Sequence, residues 1–261
     1  MKHLDRSFTL VFRLAGAALL LFILVPLAST LAASSPAMLV QTLFDPEVYA
    51  SLVLTFWASA LATGIALLGG LPLAYLLARR AFPAKRLVES LVDLPVVLPH
   101  TAAGIALLMV FGSRGLIGRP FAALGVFFTE TLAGVVVAML FVSLPYLVNL
   151  SREAFHQVDP EMEQAACADG ASSWQVFWLI SLPGAWRGVV AGMLMMWARG
   201  ISEFGAVVIL AYHPKIMPVL VYERFTGFGL AAALPVAVVL IVIVLAVFAA
   251  LRFILIPHAE G

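Results

Sequence analysis

Of 261 residues, 63% are hydrophobic and 11% charged, with a formal net charge of +1 and a mean hydropathy of +1.08. So apolar a chain cannot keep a soluble surface, which excludes a soluble enzyme and makes this an integral membrane protein. The near-neutral balance carries no nucleic-acid signal, and the single Cys167 excludes an internal disulfide.

A membrane helix needs about 20 apolar residues to cross roughly 30 Å of hydrocarbon, and it must close its own backbone hydrogen bonds. Six segments qualify, beginning with Leu14 to Ala33. Lys2, Arg6 and the Leu31-Ala32-Ala33-Ser34 run could mark a cleavable signal, but the apolar stretch is longer than a usual signal core of about 7–15 residues. A retained first helix is the reading. After an external piece from Pro36 to Glu47, the second span covers Ser51 to Leu77.

The third span, Leu91 to Phe111, opens with Asp93-Leu94-Pro95-Val96-Val97-Leu98-Pro99-His100-Thr101. Two prolines four apart release backbone carbonyls and bend a helix, which a membrane tolerates where a cavity or neighbour satisfies them. Pro95, Pro99 and Thr101 are therefore candidate gate residues. His100 has no second ligand at i+3 or i+4, so it reads as a packing or hydrogen-bonding residue, and no metal site is expected. Gly112 to Glu130, with Gly-Ser-Arg-Gly and Gly-Arg-Pro, reads as a structured turn before the fourth span, Leu132 to Leu150.

A polar hairpin follows, at about residues 159–183. Asp159-Pro160 supplies an N-cap and a first-turn proline, and Gly170 stands where a helix ends in a left-handed residue. Ser172 and Gln175 form a capping box for a second short helix, expected to stop by Pro183. Ala165 and Ala166 keep one face small for close approach, while Asp159, Glu161, Glu163 and Asp169 make it acidic, so a partner with basic or donor-rich groove walls is implied.

The fifth span, Gly188 to Ala211, carries Arg199, Ser202 and Glu203. Each charge alone costs about 2.5–3.5 kcal/mol near the bilayer centre, and a spacing of four puts both on one helical face, so they pair. Either the pair locks this helix against its neighbours, or it lines a passage in which Arg199 and Ser202 offer donors to an anion. Gly200 and Gly205 admit a close neighbour. Ala231 to Ile256 completes the set, and with no repeat or linker the chain reads as one domain, 1–261.

Lys2, Arg6, Arg13, Arg79, Arg80, Lys85, Arg86, Arg152, Arg187 and Arg252 fall on one side, against Arg114, Arg119, Lys215 and Arg224 on the other. The positive-inside rule makes both termini and the hairpin cytoplasmic in a multi-pass cell-membrane protein. The sequence has no G-x-x-x-x-G-K-[ST] phosphate loop, and Glu203 is the one acid deep in an expected span. The chain thus carries neither an ATP site of the usual kind nor the several intramembrane acids of an ion-coupled carrier.

Glu163-Gln164-Ala165-Ala166, Gly170 and Ile180-Ser181-Leu182-Pro183 resemble the E-A-A-x-x-x-G-x(9)-I-x-L-P signature of ABC importer membrane subunits. The signature's usual glutamate, six before the glycine, is Gln164 here with Glu163 one residue earlier, so the register of the acidic contact stays open. Arg199 through Val208, Ala211-Tyr212-His213-Pro214, Val221 through Phe225, Leu94 through Thr101 and Phe141 through Tyr146 resemble the molybdate/tungstate permeases, particularly their archaeal-type branch. Sulfate permeases share the Arg-x-x-x-Glu-Phe/Tyr-Gly core.

The resemblance implies an all-α type I ABC importer permease fold with six transmembrane helices and a cytoplasmic coupling-helix hairpin. It implies a homodimer over two ATP-binding subunits, fed by an extracytoplasmic oxyanion-binding protein. No cofactor is expected in this non-catalytic chain, since ATP and Mg would be bound by the partner ATPase. Glu163, Gln164, Ala165, Ala166, Gly170, Leu182 and Pro183 would couple to that ATPase. Arg199, Ser202, Glu203, Pro95, Pro99 and Thr101 would line the pathway or gate. A sulfate or thiosulfate permease is the alternative within transport, with an ion-coupled secondary carrier, or a membrane enzyme or scaffold, outside it.

Overall fold

A computed structural model describes residues 6–255, with side-chain surroundings from 8 to 250. The expectations placed on Lys2, on Ile256 and on the termini lie outside the described residues. Among the described residues all regular structure is helical. In chain order the helices are α1 (Arg6–Ala32), α2 (Pro36–Leu43), α3 (Pro46–Arg79), α4 (Lys85–Val97), α5 (His100–Phe111), α6 (Gly118–Ala123) and α7 (Leu132–Gln157). They continue as α8 (Pro160–Ala168), α9 (Ser173–Val176), a π turn (Phe177–Ser181), α10 (Leu182–Ile201), α11 (Val207–Leu210), α12 (Met217–Phe228) and α13 (Leu230–Leu255). Five stretches are long and apolar enough to cross a membrane, and the bent pair α4–α5 makes a sixth if counted as one span.

The centre of the bundle is α3, α7 and α10. The buried face of α3 reads Ser51, Thr55, Ala58, Ser59, Ala62, Thr63, Ala66, Gly70 and Ala74, small residues at helical spacing. Lipid is as apolar as a leucine surface, so membrane helices associate through close backbone packing, and this stripe permits it. At 34 residues, α3 is about 51 Å long, and both its ends emerge from a hydrocarbon layer of about 30 Å. Asp45, whose carboxylate accepts the Glu47 N–H at 2.9 Å, caps the start, and Arg79 closes the far end. At the Asp45 end, Val48 packs with Met217, Leu220, Val236 and Val239, which joins α12 and α13 to α3. By contrast α1 stands off the bundle, with none of its apolar window buried.

Between α7 and α10 the contact depends on glycine. A Cβ on Gly188 would run into the Cβ of Ala154, and one on Gly192 would lie 3.2 Å from the Leu147 carbonyl oxygen. Gly188→Val is therefore expected to cost about 1–3 kcal/mol through overpacking. A lower melting temperature of the detergent-purified chain would read this out, with Gly69→Ala, whose Cβ meets nothing within 4 Å, as the silent control.

Several boundaries differ from the sequence reading. The third span is broken, not merely bent: α4 and α5 meet at 113°. Leu98 precedes Pro99, and steric clash with the proline ring drives it out of the helical region to φ −68°, ψ 136°. The fifth span is likewise interrupted, since α10 ends at Ile201 and the chain turns through Ser202–Ala206 before α11. Glu203 is thus beyond the helix, not on its face. The helix expected to stop by Pro183 runs on instead. The Leu182 N–H reaches back to the Phe177 carbonyl, a wide i→i−5 turn, and Pro183 then occupies the first turn of α10, where its missing N–H costs little. The external piece from Pro36 contains α2, capped by Ser35, and the Gly112–Glu130 turn contains α6.

Candidate functional site

The hairpin is specified locally at every joint. The Asp159 carboxylate accepts the Glu161 N–H at 2.9 Å and Pro160 opens α8. Gly170 takes φ +91°, while the Ala171 N–H donates to the Ala166 carbonyl at 2.9 Å and the Gly170 N–H to Cys167 at 3.1 Å. These are the paired bonds of a glycine-terminated helix end. Ser172 and Gln175 then exchange reciprocal capping bonds of 3.3 and 2.8 Å.

Its faces divide the predicted residues. Gln164, Ala165, Gly170 and Pro183 are exposed and Ala166 is half-buried, with the large side chains of Met162 and Trp174 also exposed beside them. Leu182 packs inward on the cluster that holds Phe155 and Phe177. Glu163 turns toward the bundle. Its Oε1 accepts from Arg79 Nη2 at 2.9 Å, from Arg79 Nε at 3.0 Å and from the Ser181 hydroxyl at 2.7 Å. Arg79 Nη2 also donates to the Val158 carbonyl at 2.7 Å. Neither Arg79 nor Ser181 stood out in the sequence for this. Arg79 counted only toward topology, and 84 residues separate it from Glu163.

The second group gathers where the two broken spans meet. Glu203, with 2% of its side chain exposed, holds Arg199 Nη2 at 3.0 Å and His100 Nδ1 at 2.9 Å on Oε2. Its Oε1 accepts the Ala206 N–H at 2.8 Å, satisfying a backbone donor at the start of α11. Arg199 Nη2 also lies 3.0 Å from the His100 ring, and its Nη1 is 3.4 Å from the Ser202 hydroxyl. The predicted Arg199–Glu203 pair is present, and His100 joins it as a hydrogen-bonding residue. That third member is brought in by the Pro99 break, which starts α5 at His100. Gly205 makes room, since a Cβ there would sit 2.6 Å from that of His100.

The remaining gate candidates are dispersed. Pro95 is buried in α4, Pro99 is exposed at the break, and Thr101 is exposed in the first turn of α5. Near α4, a cavity of about 430 Å³ is lined by Asp93, Val97, Pro145, Tyr146, Asn149 and Met195, with Asn149 donating to Asp93 at 2.6 Å. Within the cluster, Arg199 and Glu203 cancel in charge, leaving the guanidinium's spare N–H groups and the His100 ring, 41% exposed, as donors.

At the opposite end of α3 from the hairpin, an ion network ties three segments together. Arg224 bonds Asp45 at 2.9 Å and Glu47 at 3.2 Å, and Lys215 bonds Glu47 at 2.9 Å and Glu223 at 2.7 Å. The Arg224 guanidinium holds the Asp45 carboxyl below its ordinary range, while the Glu223 and Glu47 carboxylates raise the Lys215 ammonium. All of these groups stay charged at neutral pH. The network fastens Lys215 and the α12 residues Glu223 and Arg224 to the start of α3.

Residues 70–258 match the family described as "Binding-protein-dependent transport system inner membrane component". The chain belongs to that family. As a member it is a membrane permease subunit of an ABC importer, a transport component and not an enzyme, and the secondary-carrier and membrane-enzyme readings fall away. It is 42% identical over 254 residues to the molybdate/tungstate transport system permease protein WtpB of Thermococcus kodakarensis, covering 95% of this chain and 96% of that one. The sulfate transport system permease protein CysT of Synechocystis is 34% identical over 232 residues, 85% of this chain and 80% of that one. The fold matches a permease of a bacterial alginate ABC transporter solved with an alginate pentasaccharide-bound periplasmic protein, at a TM-score of 0.67, 18% identity and 96% coverage of both chains. The permease hairpin and the Arg199–His100–Glu203 cluster therefore sit in a family whose members work with a binding protein.

Proposed function

We propose that this permease imports molybdate or tungstate, working as a homodimer over two ATP-binding subunits that dock on residues 159–183. Both termini and the hairpin face the cytoplasm, and an extracytoplasmic oxyanion-binding protein delivers the anion to the Asp45–Lys215 end. The observation that carries the anion assignment is near full-length similarity to the Thermococcus molybdate/tungstate permease. Docking is supported by an outward face of Gln164 and Ala165 on a hairpin fixed at Gly170.

ATP would close the ATPase dimer, the two hairpins would move together, and the cavity would open outward to take the released anion. Arg199 and Ser202 would then present donors along the passage. An anion held tightly there would leave slowly, so a guanidinium already neutralised by Glu203 suits passage better than a free one. Selectivity would rest mainly with the binding protein.

Sulfate is the second reading, favoured by the similarity to the Synechocystis permease. The two separate in a reconstituted transporter whose ATPase is measured against binding protein loaded with molybdate, tungstate or sulfate. Stimulation by molybdate and tungstate at least tenfold above sulfate is the expected result, and about 1.4 kcal/mol of discrimination is enough to produce it. The reverse order would assign the chain to sulfate.

A further inference from the structure

Helix α8 has no buried residue. It gains little hold on the bundle from apolar burial, with Ala166 only half-buried, and its polar attachment runs through Glu163. A single oxygen of that carboxylate gathers bonds from two other segments: Arg79 at the end of α3 and Ser181 in the π turn. The Arg79 guanidinium adds a fourth bond, to the Val158 carbonyl at the end of α7. With Arg79 11% and Glu163 13% exposed, little water competes for these charge-assisted bonds.

From Arg79 the connection continues along α3, which stays helical through Pro72. Ser59 lies 20 residues back on α3, about 30 Å away, and donates to the Trp197 carbonyl at 2.6 Å, two residues from Arg199. Gly200 packs so closely on Ser59 that a Cβ there would collide with its hydroxyl. An axial or tilting motion of α3 thus reaches the backbone that carries the Arg199–His100–Glu203 cluster.

We propose that Arg79 is a positioning residue that fastens the hairpin to α3, so that the two move as one body and hairpin displacement is delivered to the intramembrane cluster. Glu163 is then the inner anchor of the hairpin and not its contact with the ATPase. This rests on the hairpin being the ATPase dock.

The test uses the whole transporter, reconstituted with its ATPase and binding protein, and reads anion uptake per ATP hydrolysed with whichever of molybdate, tungstate or sulfate the parent imports. Cys167→Ser removes the chain's one cysteine and serves as parent, and Arg79→Cys with Glu163→Cys replaces the clamp by a pair that a short bis-maleimide can join. Before joining, ATPase recovery and hydrolysis should persist while uptake per ATP falls about tenfold, and joining should restore it. Ser181→Ala, which removes one donor without stranding a charge, should lower the ratio about threefold with equal ATPase recovery.

The inference is overturned by an unjoined pair with the parent's ratio, by joining that leaves uptake low or stops it, or by Ser181→Ala leaving the ratio unchanged. Loss of the ATPase on Glu163→Gln but not on Arg79→Gln would also sink it, since Glu163 would then be the contact itself. A parent that recovers no ATPase marks the failure of the docking reading instead.

Discussion

Glu203→Gln is expected to lower the stability of the purified permease by about 1–3 kcal/mol and to remove anion uptake, because it leaves the partly buried Arg199 charge without its partner. Glutamine keeps the shape and can still accept the Ala206 N–H, so the backbone of the turn is retained. What it loses is the charge that holds both Arg199 and His100 on Oε2. Thermal unfolding in detergent and uptake into proteoliposomes measure the two effects separately. The double variant Arg199→Met/Glu203→Gln then separates the two roles open to the pair. Removing both charges should return most of the stability, since an ion pair replaced by apolar groups is often close to neutral. If uptake stays lost in that variant, the pair serves the passage. If uptake returns with stability, the pair is only a lock between helices.

The second large effect is expected at the hairpin. Gly170 has φ +91°, and a Cβ built there meets nothing within 4 Å, so any effect of substitution comes from the backbone and not from a clash. A side chain in the left-handed region costs roughly 1–2 kcal/mol, and a β-branched one is a true outlier there. Gly170→Val should therefore open the turn, release the carbonyls of Ala166 and Cys167, and change the angle at which α8 leaves α9. The buried clusters lie elsewhere, so the chain should still purify as a folded protein with its melting temperature nearly unchanged. ATPase co-purifying with it should drop by about tenfold or more, which corresponds to about 1.4 kcal/mol of docking energy. Gly170→Asn, which tolerates this conformation, should fall between. Wild-type ATPase recovery by Gly170→Val would show that the hairpin's shape is not what the ATPase reads.

What the sequence made legible was whatever is decided within about four residues. Asp159-Pro160, Gly170 and the Ser172–Gln175 box each form their own cap, so the hairpin's joints fell where the residues put them. The Arg199–Glu203 pair was visible for the same reason, although the helix beneath it was not. Glu203 does not continue α10; it lies past the helix end, where its carboxylate accepts the Ala206 N–H at the start of α11 and meets His100 and Arg199 on the other oxygen.

Prolines gave the site of the break in the third span but not its angle, because the 113° turn is set by α5 packing on α11, where a Cβ on Gly104 would lie 2.8 Å from the Ile209 Cβ. Partners distant in sequence were silent. Nothing near Arg79 says that Glu163 will meet it, and nothing near Asp45 says that Arg224, 179 positions later, will do so.

The π turn at Phe177–Ser181 has a consequence for length. Each residue of an α-helix advances the direction of a side chain by about 100° and the axis by about 1.5 Å. From Ser181, which touches the hairpin's Glu163, to Arg199 is 18 residues, about five whole turns and 27 Å, so the two lie on one line along the helix. The wide turn absorbs one surplus residue just ahead of that line. Deleting or adding a residue between Leu182 and Arg199, beyond the wide turn, would not create slack. It would turn the shaft by more than a quarter revolution and aim Arg199 away from His100 while the hairpin stayed in place. The segment therefore tolerates exchange of residue type better than change of residue number, because its length sets the direction in which Arg199 points.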